Sequence, residues 1–504
     1  MKIALVVHDF LPYYHGGVSI YTYNLAKKLS ETNEVSIFFR KGDRNLSEYQ
    51  IESEAYDGLS LTSINNNFFI KPNFLVEYKN SEIDNAFRKF LDKTNPEIVH
   101  FQYIGCGISA GMVAVAKEYK IPAVITLQDY WFMCPRGQMM NYKWELCSEV
   151  IEEKCARCVF GLHEPISALE KRQNGHTTVP DPEGNIAFCP AGWGDLRIVD
   201  EEANNTDYGA IGLRKKKDLI KRILRLGYSL IIQSITDPRI LIRALNKAYL
   251  MIRGNKVKIK QIEKRNKYLL NVLKEIGLLI APSRFLREKY IGFGVPPEKI
   301  IYSDYGMDTK IVKKSQRSPS DKLIFGFMGT FMPTKGVHVL IDAFAKVPED
   351  KAELKIYGYA PNEYHLEYLD LIEKKLKEKN NIKMMGKYDI KNIPEILSEI
   401  QVLVVPSIWW ENSPLTIHEA FMAGVPVITS DIGGMAELVK HKVNGLLFKV
   451  GDSEDLYRKI MMLIENPELI RELSANVPSV KSIEENAEEL EKIYKDLIAD
   501  AQGI

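Results

Sequence analysis

Short, almost unbroken apolar runs recur along this chain, and helical patterns fall between them. KIALVVHDF (2–10), EVSIFFRKG (34–42), IVHFQY (98–103), AVITLQD (123–129), LLIAPS (278–283) and KIIYSDYG (299–306) form one set. IYTYNLAKKL and ISAGMVAVAKEY are among the helical stretches that separate them. A strand can be apolar at nearly every position only if both its faces are covered, as they are in a parallel sheet flanked by helices. Alternating strand and helix therefore points to a doubly wound α/β domain. A second set starts near residue 322 and predicts a second such domain: KLIFGFMG, ELKIYG, IKMMGKY, VLVVPS, GVPVITSD and NGLLFKV. The polar stretch DTKIVKKSQRSPSDK (308–322) reads as a linker, giving domains 1–307 and 308–504. The last helix, about 483–500, has no strand after it and is expected to pack back on the first domain. Residues 155–275 break the alternation and read as an irregular and helical insertion in the first domain.

A length of 504 residues is too great for one ordinary core and agrees with two domains. The formal net charge is +1, which argues against a general nucleic-acid binder. No apolar stretch has the length of a membrane span. The N-terminal MKIALVVHDFLPYY lacks a small-residue cleavage site and reads as a first strand and loop, so a cytoplasmic protein is expected.

The stretch most loaded with chemistry is PSIWWENSPLTIHEAFMAG, 406–424. It follows the buried strand VLVVPS, and ligands of open α/β sheets bind beyond the carboxyl ends of such strands. Ser413 suits a helix N-cap and Pro414 the first helical position, with the helix ending near Gly424. The amides of Leu415, Thr416 and Ile417 then lack intrahelical partners, which makes an anion site suited to a diphosphate. Glu419 follows Leu415 by four residues and lies on the same helix face one turn deeper. A carboxylate there can accept two hydrogen bonds from a ribose diol. Glu411, in the loop ahead of the helix, would face a sugar at the other end of the same ligand.

This Glu-x7-Glu pattern resembles the donor site of family 4 retaining glycosyltransferases of the GT-B fold. GTFMPTKG (329–336) is similar to that family's loop after the first strand of the second domain, and implies that Lys335 contacts the donor diphosphate. HGGVSIYTYNLAKKL is similar to its N-terminal glycine loop, with Gly16 and Gly17 near the donor phosphate or the acceptor. APSRFLREKYIGFGVPPEKI and YGMD resemble the end of its first domain. The resemblance covers about 1–160 and 275–500. It implies two Rossmann-like domains facing a cleft, a nucleotide-diphosphate sugar as donor, and a retaining transfer with no cofactor or divalent metal required. Glu411 and Lys335 would be the catalytic residues, and Lys387 would lie at the nucleobase. Thr330 stands where many relatives carry Arg, and Gln128 where many carry His near the sugar. His100, Gln128, Asp129 and Arg136 are expected at the cleft or the acceptor.

Two further stretches stand apart. Cys134, Cys147, Cys155 and Cys158 have spacings that suit a structural zinc site of four thiolates, which leaves no open position for catalysis. Residues 213–267 interleave Lys and Arg with Leu, Ile and Tyr. Such a segment suits peripheral contact with an anionic membrane, at its inner face, in keeping with a lipid-linked acceptor. Two other functions use a fold of this shape: a nucleotide-sugar epimerase, and a non-catalytic nucleotide-sugar-binding scaffold. Fold alone does not separate them.

Overall fold

A computed structural model of the chain describes all residues except 44, 68–77, 106, 142, 161–237, 313, 315–321, 361–364, 377–378 and 504, and omits the side chains of 160 and 238–255. The described residues build two parallel sheets. The first takes β1 (Lys2–Val7), β2 (Glu34–Lys41), β3 (Ile51–Tyr56), β4 (Leu59–Asn65), β5 (Ile98–Phe101), β6 (Ala123–Thr126), β7 (Leu278–Ala281) and β8 (Ile300–Tyr302), in the order β3-β4-β2-β1-β5-β6-β7-β8. The second takes β9 (Leu323–Met328), β10 (Ala352–Tyr357), β11 (Ile382–Gly386), β12 (Val402–Val405), β13 (Val427–Ser430) and β14 (Gly445–Phe448), in the order β11-β10-β9-β12-β13-β14. The strand order reverses at β1 in one sheet and at β9 in the other, which puts a ligand crevice at each reversal.

The apolar runs become central strands for the stated reason: Ala4, Leu5, Val6, Ile37, Phe38, Val402 and Val404 are wholly buried. The hairpin of β3 and β4 is not marked by such runs. β3 is an edge strand paired antiparallel to β4, with Glu52 and Glu54 on it, and its turn uses Asp57 and Gly58 at positive φ.

The region 155–275 is only partly peripheral. A helix of 38 residues, Pro238–Glu275, ends it, and Ile262, Leu269 and Leu273 of that helix are fully buried in the first domain's core. The basic cluster from Arg214 to Arg225 lies outside the described residues. Among the described residues no helix is long and apolar enough to cross a membrane.

The chain crosses between the sheets twice. Met307 pairs with Ser482, its amide donating to Lys481 O at 2.9 Å and its carbonyl accepting from Ile483 N at 2.8 Å. A Cβ on Gly306 would lie 2.8 Å from Ser482 O, so the crossings approach as closely as a glycine permits. The helix Ile483–Gln502 then lies against the helix Gly17–Leu29 of the first domain. Its Tyr494 hydroxyl is 2.6 Å from His100 Nδ1, and its Asn486 Oδ1 accepts from the Tyr21 hydroxyl at 2.8 Å.

Candidate active site

The loops after β9 and β12 bring the two candidate catalytic residues together. Lys335 ends a short turn, Pro333–Lys335, and Gly336 follows it with φ 69°. A Cβ on Gly336 would lie 2.0 Å from Pro406 O, and Ile408 N donates to Thr334 O at 2.8 Å. The two loops are thereby fastened, and Lys335 Nζ reaches Glu411 Oε1 at 2.6 Å. Ser407 Oγ donates to the same oxygen at 2.8 Å. The Glu411 side chain is 9% exposed and that of Lys335 30%, so the pair is partly shielded from solvent. The glycine pair of DIGG supports the loop from behind. Gly434 N donates to Glu411 O at 2.8 Å, and a Cβ on Gly434 would lie 1.4 Å from Asn412 O.

The helix after this loop, Leu415–Met422, starts one residue later than expected. Pro414, not Ser413, is its N-cap, and no side chain caps it. Ser413 cannot serve because its hydroxyl is engaged elsewhere: it donates to Asp304 Oδ1 at 2.6 Å and lies 2.7 Å from His418 Nε2. The amide of Ile417 bonds to Pro414 O at 3.0 Å, which leaves the open set at Leu415 and Thr416. Glu419 lies one turn deeper and is half-buried. Burial pushes its carboxyl up to about 7. Burial, and then the nearby Glu419 charge, also raise the Tyr388 hydroxyl.

The first domain meets this helix start directly. A Cβ on Gly17 would lie 3.5 Å from Leu415 Cδ1, while one on Gly16 would meet only Ser19. Asn412 Nδ2 donates to Gln128 O, and the Tyr305 hydroxyl donates to Gln128 Oε1. Asp129 accepts from Trp131 N at 2.7 Å and from the Tyr103 hydroxyl at 2.9 Å; burial pushes its carboxyl up to about 6. Thr330 is half-buried in the loop after β9, and its carbonyl accepts from Met332 N at 3.0 Å. Lys387 is exposed, its Nζ 5.0 Å from the Tyr359 ring centre.

His100 is elsewhere. It is fully buried, bonded to Tyr494 and, at 2.8 Å, to Thr126 Oγ1. It belongs to the packing beneath the last helix and not to the cleft. Arg136 is also buried: its Nη1 is 3.6 Å from Cys158 Sγ and its guanidinium 5.9 Å from the Trp144 ring centre.

That arrangement also tells against the expected zinc. Among the described residues, no group of three or more His, Cys, Asp or Glu side chains is arranged to hold a metal. Cys134, Cys147, Cys155 and Cys158 are free thiols. Burial raises Cys134 and pushes Cys147 and Cys155 up to about 12.

Asp304, Ser407, His418 and Gly434 were not singled out from the sequence. Gly434 carried a signal in its Gly-Gly pair, and His418 in its place one residue before Glu419. Asp304 carried none, because its partner Ser413 lies 109 residues away on another segment.

The comparisons with known proteins bear on this geometry. Residues 15–159 match the family described as Glycosyltransferase Family 4, and residues 308–480 match Glycosyl transferases group 1. The chain is 28% identical over 199 residues to N-acetyl-alpha-D-glucosaminyl L-malate synthase of Bacillus anthracis, covering 38% of this chain and 50% of that one. It is 26% identical over 210 residues to the amylovoran biosynthesis glycosyltransferase AmsK of Erwinia amylovora, covering 40% and 51%. The chain thus spans about half the length of these relatives. Its fold matches that of Anabaena Alr3699/HepE, solved in complex with UDP and glucose, with TM-score 0.56 and 14% identity over 100% of both chains. Two family matches in this order, on two Rossmann-like sheets with the Glu411–Glu419 loop and helix between them, lead to one assignment: the chain belongs to the family 4 glycosyltransferases and has their GT-B fold.

Proposed function

We propose that the protein transfers a sugar from a nucleotide-diphosphate sugar to a glycan or lipid-linked acceptor in polysaccharide or glycoconjugate synthesis, with retention of the anomeric configuration. The observation that carries this reading is the Lys335–Glu411 pair, 2.6 Å apart, beside a helix start that no side chain caps. In this reading the ammonium and the open amides of Leu415 and Thr416 together stabilise the leaving diphosphate as it gains charge when the glycosidic bond breaks. Glu411 orients the sugar hydroxyls and stabilises the cationic sugar. Glu419 accepts from the ribose diol. Gly17 lets the first domain close to within contact of Leu415, which excludes water from the reacting atoms. Thr330 carries no charge, so Lys335 takes the larger share of the diphosphate. The amylovoran relative and the UDP-bound neighbour support a nucleotide-sugar donor and a polysaccharide product. The epimerase and scaffold readings gain no such support.

The basic segment 213–267 would carry the contact with an anionic membrane. Deletion of 213–237, which spares the helix packed in the first domain's core, should abolish sedimentation with anionic vesicles. The donor is identified by a thermal-shift screen of nucleotide diphosphates and their sugars without added metal, followed by transfer assays with the pair that binds. A selective shift for one base and one sugar is expected. No shift with any nucleotide would overturn the reading.

A further inference from the structure

Asp304 lies at the hinge. It follows β8 and precedes the crossing at Met307, and it is held there by the chain's return segment. Lys481 Nζ donates to Ser303 Oγ at 2.9 Å and to Asp304 O at 3.4 Å. Its carboxylate points the other way, into the second domain, and accepts from Ser413 Oγ at 2.6 Å. Ser413 and His418 are both buried. Since the Ser413 hydrogen goes to Asp304, the bond between Ser413 Oγ and His418 Nε2, 2.7 Å, has the imidazole as donor. Burial lowers the His418 pKa, with Asp304 opposing, which is consistent with a neutral ring bearing its proton on Nε2. The hydrogen bonds therefore run in one direction, from His418 through Ser413 to Asp304. Ser413 immediately precedes the Pro414 cap of the helix whose first amides are open.

We infer that this chain is a latch that fixes the helix start against the hinge, and that Asp304 is a positioning residue for donor binding. A charge-assisted hydrogen bond in a buried setting is strong enough to bias the arrangement of two domains. A cavity of about 260 Å³, lined by Asp304, His418, Phe421, Asn476 and Lys481 among others, adjoins this chain of bonds. The inference rests on the donor reading of the helix, but the latch itself can be measured without a nucleotide.

The test uses the full chain with Asp304→Ala, Ser413→Ala, the double variant, and Asp304→Asn, which keeps an acceptor oxygen of the same shape. Small-angle X-ray scattering reads the interdomain arrangement with no ligand present. Calorimetry with UDP, GDP and ADP reads the helix start. Each alanine variant should broaden the interdomain distance distribution and weaken the nucleotide that binds wild type by about tenfold. The double variant should be no weaker than either single one, and Asp304→Asn, which keeps an acceptor but loses the charge, should fall between wild type and Asp304→Ala. Alanine variants that scatter like wild type, or losses that add, would overturn the latch. A wild type that binds none of the three nucleotides would count against the donor reading instead, while the scattering would still decide the latch.

Discussion

Lys335 Nζ stands 2.6 Å from Glu411 Oε1, and among the described residues the other side chain on that oxygen is Ser407, whose Oγ donates at 2.8 Å. Lys335→Ala should therefore act twice. On the proposed function it removes the cation aimed at the leaving diphosphate, lowering kcat by about 10²- to 10³-fold. It also leaves a shielded carboxylate with a hydroxyl partner alone, costing about 1–3 kcal/mol. Steady-state kinetics and thermal unfolding read the two effects separately.

Glu419 gives a pH signature. Its carboxyl is raised from 4.5 to about 7 by burial. Below 4.5 it is protonated in both folded and unfolded chains, and its contribution to stability is fully present. That contribution is lost as pH rises through about 7, where the buried group must ionise. Nucleotide affinity should move oppositely, since only the carboxylate accepts two hydrogen bonds from a diol. Titrations from pH about 6 to about 8 should show affinity rising in wild type and flat in Glu419→Gln.

Gly336 and Gly17 should respond differently to the same added methyl group. Gly336→Ala meets Pro406 O at 2.0 Å from a backbone at φ 69°, so it should cost about 2–4 kcal/mol and misplace Lys335. Gly17→Ala meets Leu415 at 3.5 Å, an ordinary contact, so its melting temperature should stay near wild type. Thermal unfolding of the two variants checks the difference.

His100 should matter to folding and not to nucleotide affinity. Burial lowers its pKa to about 3, so the ring is neutral in the folded chain at neutral pH. Stability from this group is present above 6.5 and is lost as pH falls toward about 3. Tyr494→Phe, which removes one of two Nδ1 partners and leaves Gln102 Nε2 at 3.1 Å, should cost about 1 kcal/mol and leave nucleotide affinity unchanged.

The parallel strands were legible because burial on both faces leaves an apolar run, and the Glu411–Glu419 stretch because strand, turn and helix lie consecutively in the chain. The β3–β4 hairpin was not, since an edge strand carries charges such as Glu52 and Glu54. Ser413 shows a different limit. Its residue type and position fit an N-cap, but a tertiary partner 109 residues away took the hydroxyl. His100 failed likewise: it ends an apolar strand as a cleft residue would, but a helix 394 residues later covers it. The cysteine spacing allowed a metal, and nothing local revealed that Arg136 would lie beside Cys158.

The last helix has a consequence for how the protein is made. Ile483, Ala487, Leu490 and Tyr494 complete a cluster that includes Ile3, Leu5 and Leu25. The ribosome releases the second sheet before those residues appear. Throughout synthesis the earlier-made domain therefore keeps an apolar flank and the His100 ring uncovered. Any premature stop before Ile483 strands the nascent chain in that state, a target for chaperones and proteases even though every residue of the Glu411–Glu419 loop and helix has already been translated.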